Sequence, residues 1–313
     1  MATESLFLTC LIDAMEHQKV ATVDIPGAFM QADMEGETVH MKLEGKMSEL
    51  LTKLNSKLYQ KYFTNEKGQT VLYVELKKSL YGTLQAALLF WKKLTWRLQE
   101  WGFEINPYDL CVANKKVNGN QMTVLWHVDD LKIYQKNGDI VDALINKLSG
   151  RYGKEAYLTI HRGKVHKYLG MKLDYSEEGK VKIDMTYYLK KILDDLLKKH
   201  QGRAITPAAN HLFEVNKTTR KLSEKDAQAF HTIMAKLLFL CKWVRPDILI
   251  VVAFLATRVR EPDEDDDKKL LRILKYISGT RDIVLTMESN GTGTVKWWVN
   301  AALSHKHTLF FCY

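Results

Sequence analysis

The sequence predicts an α+β fold, a mixed half of strands and helices followed by a mainly helical half, with the boundary near residue 185. Three observations lead there. Short β-rich apolar runs occur at 19–25, 122–134 and 157–184, interleaved with amphipathic helical stretches. Beyond 185 the periodicity turns helical in four successive segments, broken around Pro207, Pro246 and Pro262. With 46% hydrophobic and 27% charged residues over 313 positions, the chain has the means to bury a substantial core.

Taken in order, residues 4–15 place Leu8, Leu11, Ile12 and Met15 at helical spacing. Lys19 to Ile25 is a strand closed by the turn pair Pro26-Gly27. Beyond Gly82 a long helix is expected, with Leu84, Leu88, Trp91, Leu94, Leu98 and Trp101 as its core face. Its wet face carries Lys92, Lys93, Arg97 and Glu100. Met122 to Tyr134 reads as a hairpin with Asp129-Asp130 at its tip, and Ile140 to Leu148 as a helix. A strand meander follows to Asp184, with a Glu178-Gly179 turn. The later helices are expected at 187–200, 227–243, 247–259 and 267–277, and a last strand at 294–299. The acidic run Glu261 to Asp267 suits the first turn of a helix, where the dipole favours negative charge.

Composition removes several classes. Formal net charge is +9, which leans toward a polyanionic partner. The longest apolar run, Ile248 to Ala256, is far short of the roughly twenty residues that cross a bilayer. Met1-Ala2-Thr3-Glu4-Ser5 has no signal-peptide layout, so no membrane association is expected and the protein reads as intracellular, cytoplasmic or nuclear. Cys10, Cys111, Cys241 and Cys312 form no CxxC pair, which points to reduced, mostly buried thiols. The histidines show no metal-binding spacing, and His161 and His166 are expected on strand and loop surfaces.

Three acids stand out. Asp24 ends the strand Val20–Ile25, and Asp129 with Asp130 follows the apolar strand Val124–Val128. Alternation puts Asp129 and Asp130 on opposite faces unless the turn re-aims one. Carboxylates ending neighbouring strands repel one another unless a cation intervenes. Mg²⁺ suits such a set, because it takes oxygen ligands and keeps positions for water or phosphate oxygens. Solvated turn chemistry explains either acidic element alone; their joint occurrence favours a metal site.

These residues carry a family resemblance. Val23-Asp24-Ile25-Pro26-Gly27-Ala28-Phe29 resembles the first catalytic motif of reverse transcriptases, Asp followed four residues on by Ala-aromatic. Leu80-Tyr81-Gly82-Thr83-Leu84-Gln85-Ala86-Ala87 is similar to the Leu-Tyr-Gly-Leu-Lys-Gln-Ala-Pro motif of copia-type long-terminal-repeat retrotransposons, departing at Leu84 and Ala87. His127-Val128-Asp129-Asp130 resembles their Tyr-Val-Asp-Asp box, and Tyr168-Leu169-Gly170-Met171 the strand motif after it. The segment from Phe230 through Arg245-Pro246-Asp247-Ile248 resembles the helical region of copia polyproteins. Five motifs in the family's order cover about residues 5–300.

The resemblance implies a reverse-transcriptase palm over 1–185, an antiparallel sheet with helices on one face. A helical thumb and connection would follow over 186–289, and a truncated, degenerate start of a ribonuclease H domain over 290–313. It implies RNA-directed DNA polymerase chemistry with two Mg²⁺ ions, or Mn²⁺ in their place, held by Asp24 and Asp129 with Asp130 accessory. The partners it implies are an RNA or DNA template-primer duplex and deoxynucleoside triphosphates. Phe29 matches an aromatic that excludes ribonucleotides, and Gln85 a glutamine that contacts the templating pair or nucleotide. His127, in the Tyr position, suits either a primer contact or an ordinary strand histidine. Lys190, Lys191, Lys198 and Lys199 fall on the helix that begins the thumb, and suit either duplex phosphates or solvent.

Departures are also expected. Only 23 residues precede Asp24, so most of the family's basic fingers segment is missing. Asn300 stands where the ribonuclease H domain carries its first metal-binding Asp. The chain thus reads as part of a longer polyprotein. The alternative is an inactive remnant retaining its fold and nucleic-acid binding; a metal-dependent phosphohydrolase on another architecture does not account for five ordered motifs.

Overall fold

The computed structural model describes residues 1–196, 202–216, 218–289, 291, 300–303 and 309–312. Element order begins with helix α1 (Thr3–Met15), strand β1 (Lys19–Asp24) and a 3-10 turn at Ala28–Gln31. Next come β2 (His40–Glu44), α2 (Lys46–Leu54), α3 (Ser56–Tyr59), β3 (Phe63–Glu66), β4 (Gln69–Glu75) and α4 (Ala86–Glu100). Strands β5 (Glu104–Ile105), β6 (Val112–Val117), β7 (Asn120–His127) and β8 (Asp130–Gln135) lead to α5 (Gly138–Tyr152). The meander is β9 (Thr159–Arg162), β10 (Val165–Tyr168), β11 (Met171–Asp174) and β12 (Lys180–Asp184). Helices α6 (Thr186–Leu196), α7 (Glu224–Trp243), α8 (Leu249–Ala256) and α9 (Glu264–Gly279) follow, with β13 (Leu285–Glu288), β14 (Asn300–Leu303) and β15 (Leu309–Cys312) last. This is a mixed α and β architecture built on antiparallel strand pairs.

A six-stranded sheet has the order β5-β6-β7-β8-β1-β9. Its strands β7, β8 and β1 are buried along nearly their whole length, Val20, Val23, Val124, Leu125, Leu131 and Ile133 among them, and β8 buries Lys132 and Gln135 as well. Contacts divide the chain into two compact units, one of residues 23–133 and 139–160, the other of residues 1–22, 134–138 and 161–313.

In the first unit, β6 and β7 pair over Val112↔Leu125 to Val117↔Asn120, turned by Asn118 and Gly119, both at positive φ. Helix α4 approaches α5 through the edge-on rings of Phe90 and Tyr152, 6.1 Å apart. The buried face of α4 is Ala86, Leu89, Phe90, Leu94 and Leu98, which corrects the expected stripe. Leu84 lies ahead of the helix, fully exposed, and Leu88 is about half exposed. The cause is that α4 carries more apolar residues than one stripe needs, and the helix begins only at Ala86, so packing that includes the Phe90–Tyr152 contact centres the buried face on Phe90, Leu94 and Leu98. Residues 40–75 add a separate antiparallel sheet, β2-β4-β3, in register His40↔Glu75 and Phe63↔Leu72.

In the second unit, β10-β11-β12-β13 form an antiparallel sheet. The strand β13 was not expected; it pairs with β12 at Val181↔Met287 and Ile183↔Leu285. His166, expected at the surface, is fully buried in β10. Its Nε2 lies 2.9 Å from the Gly163 carbonyl and its ring meets Tyr175 edge-on, so the strand's inward face places it in the core. Helix α9 opens with the expected acids. The side chain of Asp263 accepts from the backbone N–H groups of Asp265 and Asp266, while Asp266 accepts from the N–H of Asp263, a reciprocal capping box. Arg245, 1% exposed, forks onto both carboxylate oxygens of Asp247 and donates to the Thr280 carbonyl and hydroxyl. The expected last strand, 294–299, and residues 197–200 of the helix expected from 187 lie outside the described residues.

Candidate functional site

The site is built in the first unit from three short segments. One is the end of β1. The backbone N–H of Ile25 donates to the Asp129 carbonyl at 3.1 Å, so the residue after Asp24 is tied to the hairpin tip. Gly27 then turns the chain at φ +62°, where a Cβ would meet the Met30 Cε at 3.0 Å. The 3-10 turn that follows buries Phe29 to 9% exposure.

The second segment is the β7–β8 turn. Val128, a β-branched residue, sits at φ +59°, a left-handed conformation that side chains of this kind rarely adopt. That turn, made by Val128 and Asp129 between the strands, interrupts strict alternation and decides how the two aspartates are presented. The third segment is residues 77–83. Buried Ser79 donates its hydroxyl to the Phe29 carbonyl, and its N–H to Ala32 at 3.0 Å. Both the N–H and hydroxyl of Thr83 donate to the Leu80 carbonyl, and Gly82 turns at φ +94°. Tyr81 is thereby carried to the aspartates. Its hydroxyl donates to Asp129 Oδ2 at 2.7 Å, and its ring lies 4.2 Å from that of Phe29, tilted by 45°.

Electrostatics report the crowding. Burial first, then the negative charge of Asp129, raises the Asp24 carboxyl above its ordinary range. Asp130 is pushed up to about 6 by burial, with Asp129 and Asp24 adding to it. The Tyr81 phenol is pushed up to about 12 by burial and by the carboxylate it donates to. Three acids from two distant segments therefore feel one another's charge, the circumstance in which a cation is most favourable. Among the described residues no three or more His, Cys, Asp or Glu side chains form a group placed to hold a metal ion, so the three aspartates share a neighbourhood without forming a ready-made ligand set. Oxygen donors and mutual repulsion suit a divalent ion that completes its shell with water or substrate oxygens.

The structure thus brings Asp24, Asp129, Asp130 and Phe29 into one neighbourhood. His127 is the exposed last residue of β7, two positions before Asp129. Gln85 is exposed at the start of α4, and its side chain makes no hydrogen bond among the described residues. From that motif it is Tyr81 that reaches the carboxylates. Sequence reasoning passed over it although the Leu-Tyr-Gly run contained it, because nothing local shows that a phenol 48 positions upstream will meet Asp129. Lys164 borders a cleft of about 530 Å³ in the second unit, beside Lys19, Arg162 and Glu178.

Comparison with known proteins identifies the family. The family described as Reverse transcriptase (RNA-dependent DNA polymerase) matches residues 2–209. The Ty5-1 transposon protein YCL074W of Saccharomyces cerevisiae is 26% identical over 249 residues, 79% of this chain and 78% of that one. A retrovirus-related Pol polyprotein from the tobacco transposon TNT 1-94 is 25% identical over 272 residues, 84% of this chain but 18% of the polyprotein. Among solved structures, telomerase from Candida albicans in complex with a telomeric RNA fragment aligns at a TM-score of 0.33 and 9% identity, covering 89% of this chain and 49% of that one. No helix among the described residues is long and apolar enough to cross a membrane. With the family matched over two thirds of its length, the chain belongs to the reverse transcriptases of copia-type retrotransposons.

Proposed function

We propose that this chain is the polymerase domain of a retrotransposon polyprotein, extending a primer on an RNA or DNA template with deoxynucleoside triphosphates. The observation that carries the proposal is the meeting of Asp24 with Asp129 and Asp130 at one sheet edge. In this reading the three carboxylates hold two Mg²⁺ ions, or Mn²⁺. When bound, the ions lower the barrier to attack of the primer 3′-hydroxyl on the α-phosphate and stabilise charge on the departing pyrophosphate. The protein's own part is alignment. The Ile25–Asp129 backbone bond keeps the two acidic segments in register, so little reorganisation is needed at the moment of reaction. Phe29 presents a buried ring beside the carboxylates, a volume that a 2′-hydroxyl cannot share. His127, at the exposed strand end, contacts a primer phosphate or sugar in this reading, and exposed Gln85 the nucleotide or templating pair.

Residues 1–185 then serve as palm, 186–289 as thumb and connection, and 290–313 as the start of a ribonuclease H domain. Duplex binding has a physical basis within the second unit. A groove of about 430 Å³ is lined by Arg203, Lys268, Arg272 and Lys275 beside Ile205, with no carboxylate lining it. None of the four cations forms an ion pair among the described residues. Lys190 and Lys191 add exposed charge on α6, whereas Lys198 and Lys199 lie outside the described residues.

Primer extension on an RNA template with Mg²⁺, comparing the chain with Asp129→Asn, tests the proposal. Extension by the chain and a loss of at least about a hundredfold in the variant is the expected result. Absence of extension in both overturns it in favour of an inactive remnant.

A further inference from the structure

Tyr81 is about 55% exposed, yet it is fixed at both ends of its side chain. Its hydroxyl rests on Asp129 and its ring on Phe29. The backbone on either side is bonded into the fold: Ser79 is fully buried and tied to the 3-10 turn, and Gly82, at φ +94°, stands in the turn that Thr83 closes on the Leu80 carbonyl. The exposed phenol is therefore held by its two side-chain contacts on a fixed turn.

We propose that Tyr81 is a latch on the carboxylate site: its phenol occupies Asp129 Oδ2 in the cation-free chain and must withdraw when a divalent ion takes that oxygen. The inference rests on the reading of the aspartates as a cation site. The physical reason is the direction of the O–H dipole. A phenol can only donate to an ionised carboxylate, so the positive end of its dipole lies against the same oxygen that a cation would use. Proton donor and divalent cation then repel across a few ångströms, and occupancy of one disfavours the other. Because the same ring packs on Phe29, withdrawal of the hydroxyl also removes a support from that side chain. Cation binding and the placement of the ring beside the nucleotide pocket are thus linked through one side chain. This differs from a supporting role, in which the phenol would orient Asp129 for its ion and strengthen binding. The two roles make opposite predictions.

The test is Mn²⁺ affinity of the full chain, read by the free-ion electron paramagnetic resonance signal, with no substrate present. Tyr81→Phe keeps the ring on Phe29 and removes only the hydroxyl. It should bind Mn²⁺ about fivefold more tightly than the parent chain, the equivalent of one net hydrogen bond. Tyr81→Leu, lacking hydroxyl and ring, should shift affinity in the same direction. Equal or weaker binding by both variants overturns the latch while leaving the cation site standing. Absence of Mn²⁺ binding by the parent chain, or binding by Asp129→Asn as tight as the parent's, overturns the carboxylate site itself and the latch with it.

Discussion

At the scale of single residues, the acidic neighbourhood is electrostatically unfavourable without a counter-ion. Asp130 illustrates this. Burial and the charges of Asp129 and Asp24 raise its pKa to about 6 in the folded chain, against an ordinary value of 3.8. The folded state therefore binds this proton more tightly than the unfolded state. Stability falls as pH rises through the interval between those values, and the penalty is fully present above the upper one. Asp130→Asn removes the ionisable group. In chelator, its melting temperature should exceed the parent's by a few degrees at about pH 7.5, with a clearly smaller difference at about pH 5. Thermal melts at the two values check this, and an equal gain at both would show that the charge is not the source. Val128 is the other telling residue. Its left-handed backbone is a local expense that the turn tolerates while presenting two consecutive acids.

At the scale of elements, the Arg-Pro-Asp run serves architecture rather than chemistry. Arg245 joins the 3-10 turn before α8 to the last residue after α9, using Asp247 and both oxygens of Thr280. The guanidinium is almost wholly buried, while Asp247 keeps about a third of its side chain in solvent. Arg245→Met retains bulk but leaves the Asp247 carboxylate and the Thr280 carbonyl without that partner. It should destabilise the second unit by about 2–3 kcal/mol, somewhat under the roughly 3–5 kcal/mol for breaking a fully buried pair, because Asp247 is partly solvated. Arg245→Lys should rescue little, since an ammonium cannot reproduce the two-pronged contact. Urea midpoints of the three chains decide the matter, and a wild-type midpoint for Arg245→Met would remove the element-level role.

At the scale of the whole molecule, the net charge of +9 acquires a location. Arg203, Lys268, Arg272 and Lys275 concentrate positive charge along one side of α9, while the acids of its first turn are used in the capping box and in pairs with Arg258 and Lys269. A phosphodiester backbone in this groove would release bound counter-ions. Replacing Lys268, Arg272 and Lys275 together by Gln should flatten the logarithmic salt dependence of duplex binding by about two to three units, at roughly 0.9 per phosphate contact. Fluorescence anisotropy on an RNA–DNA duplex over a potassium chloride series measures that slope. An unchanged slope would exclude the groove as the duplex contact.

The sequence by itself determined α1, β1, the long helix α4, the β7–β8 hairpin with its acidic tip, and the acidic start of α9, though not the sheet of residues 40–75. Each is written in local periodicity, turn residues and charge, which neighbours along the chain decide. It did not determine which side of α4 is buried, because the helix carries more apolar residues than one stripe needs and packing, the Phe90–Tyr152 contact included, selects among them. Nor did it reveal the burial of His166, which the inward face of β10 decides, or the pairing of β13 with β12, strands about a hundred residues apart. Tertiary structure alone decided that Tyr81, rather than Gln85, touches Asp129. Contacts between distant segments follow from how folded surfaces meet, and a linear pattern holds no record of that meeting.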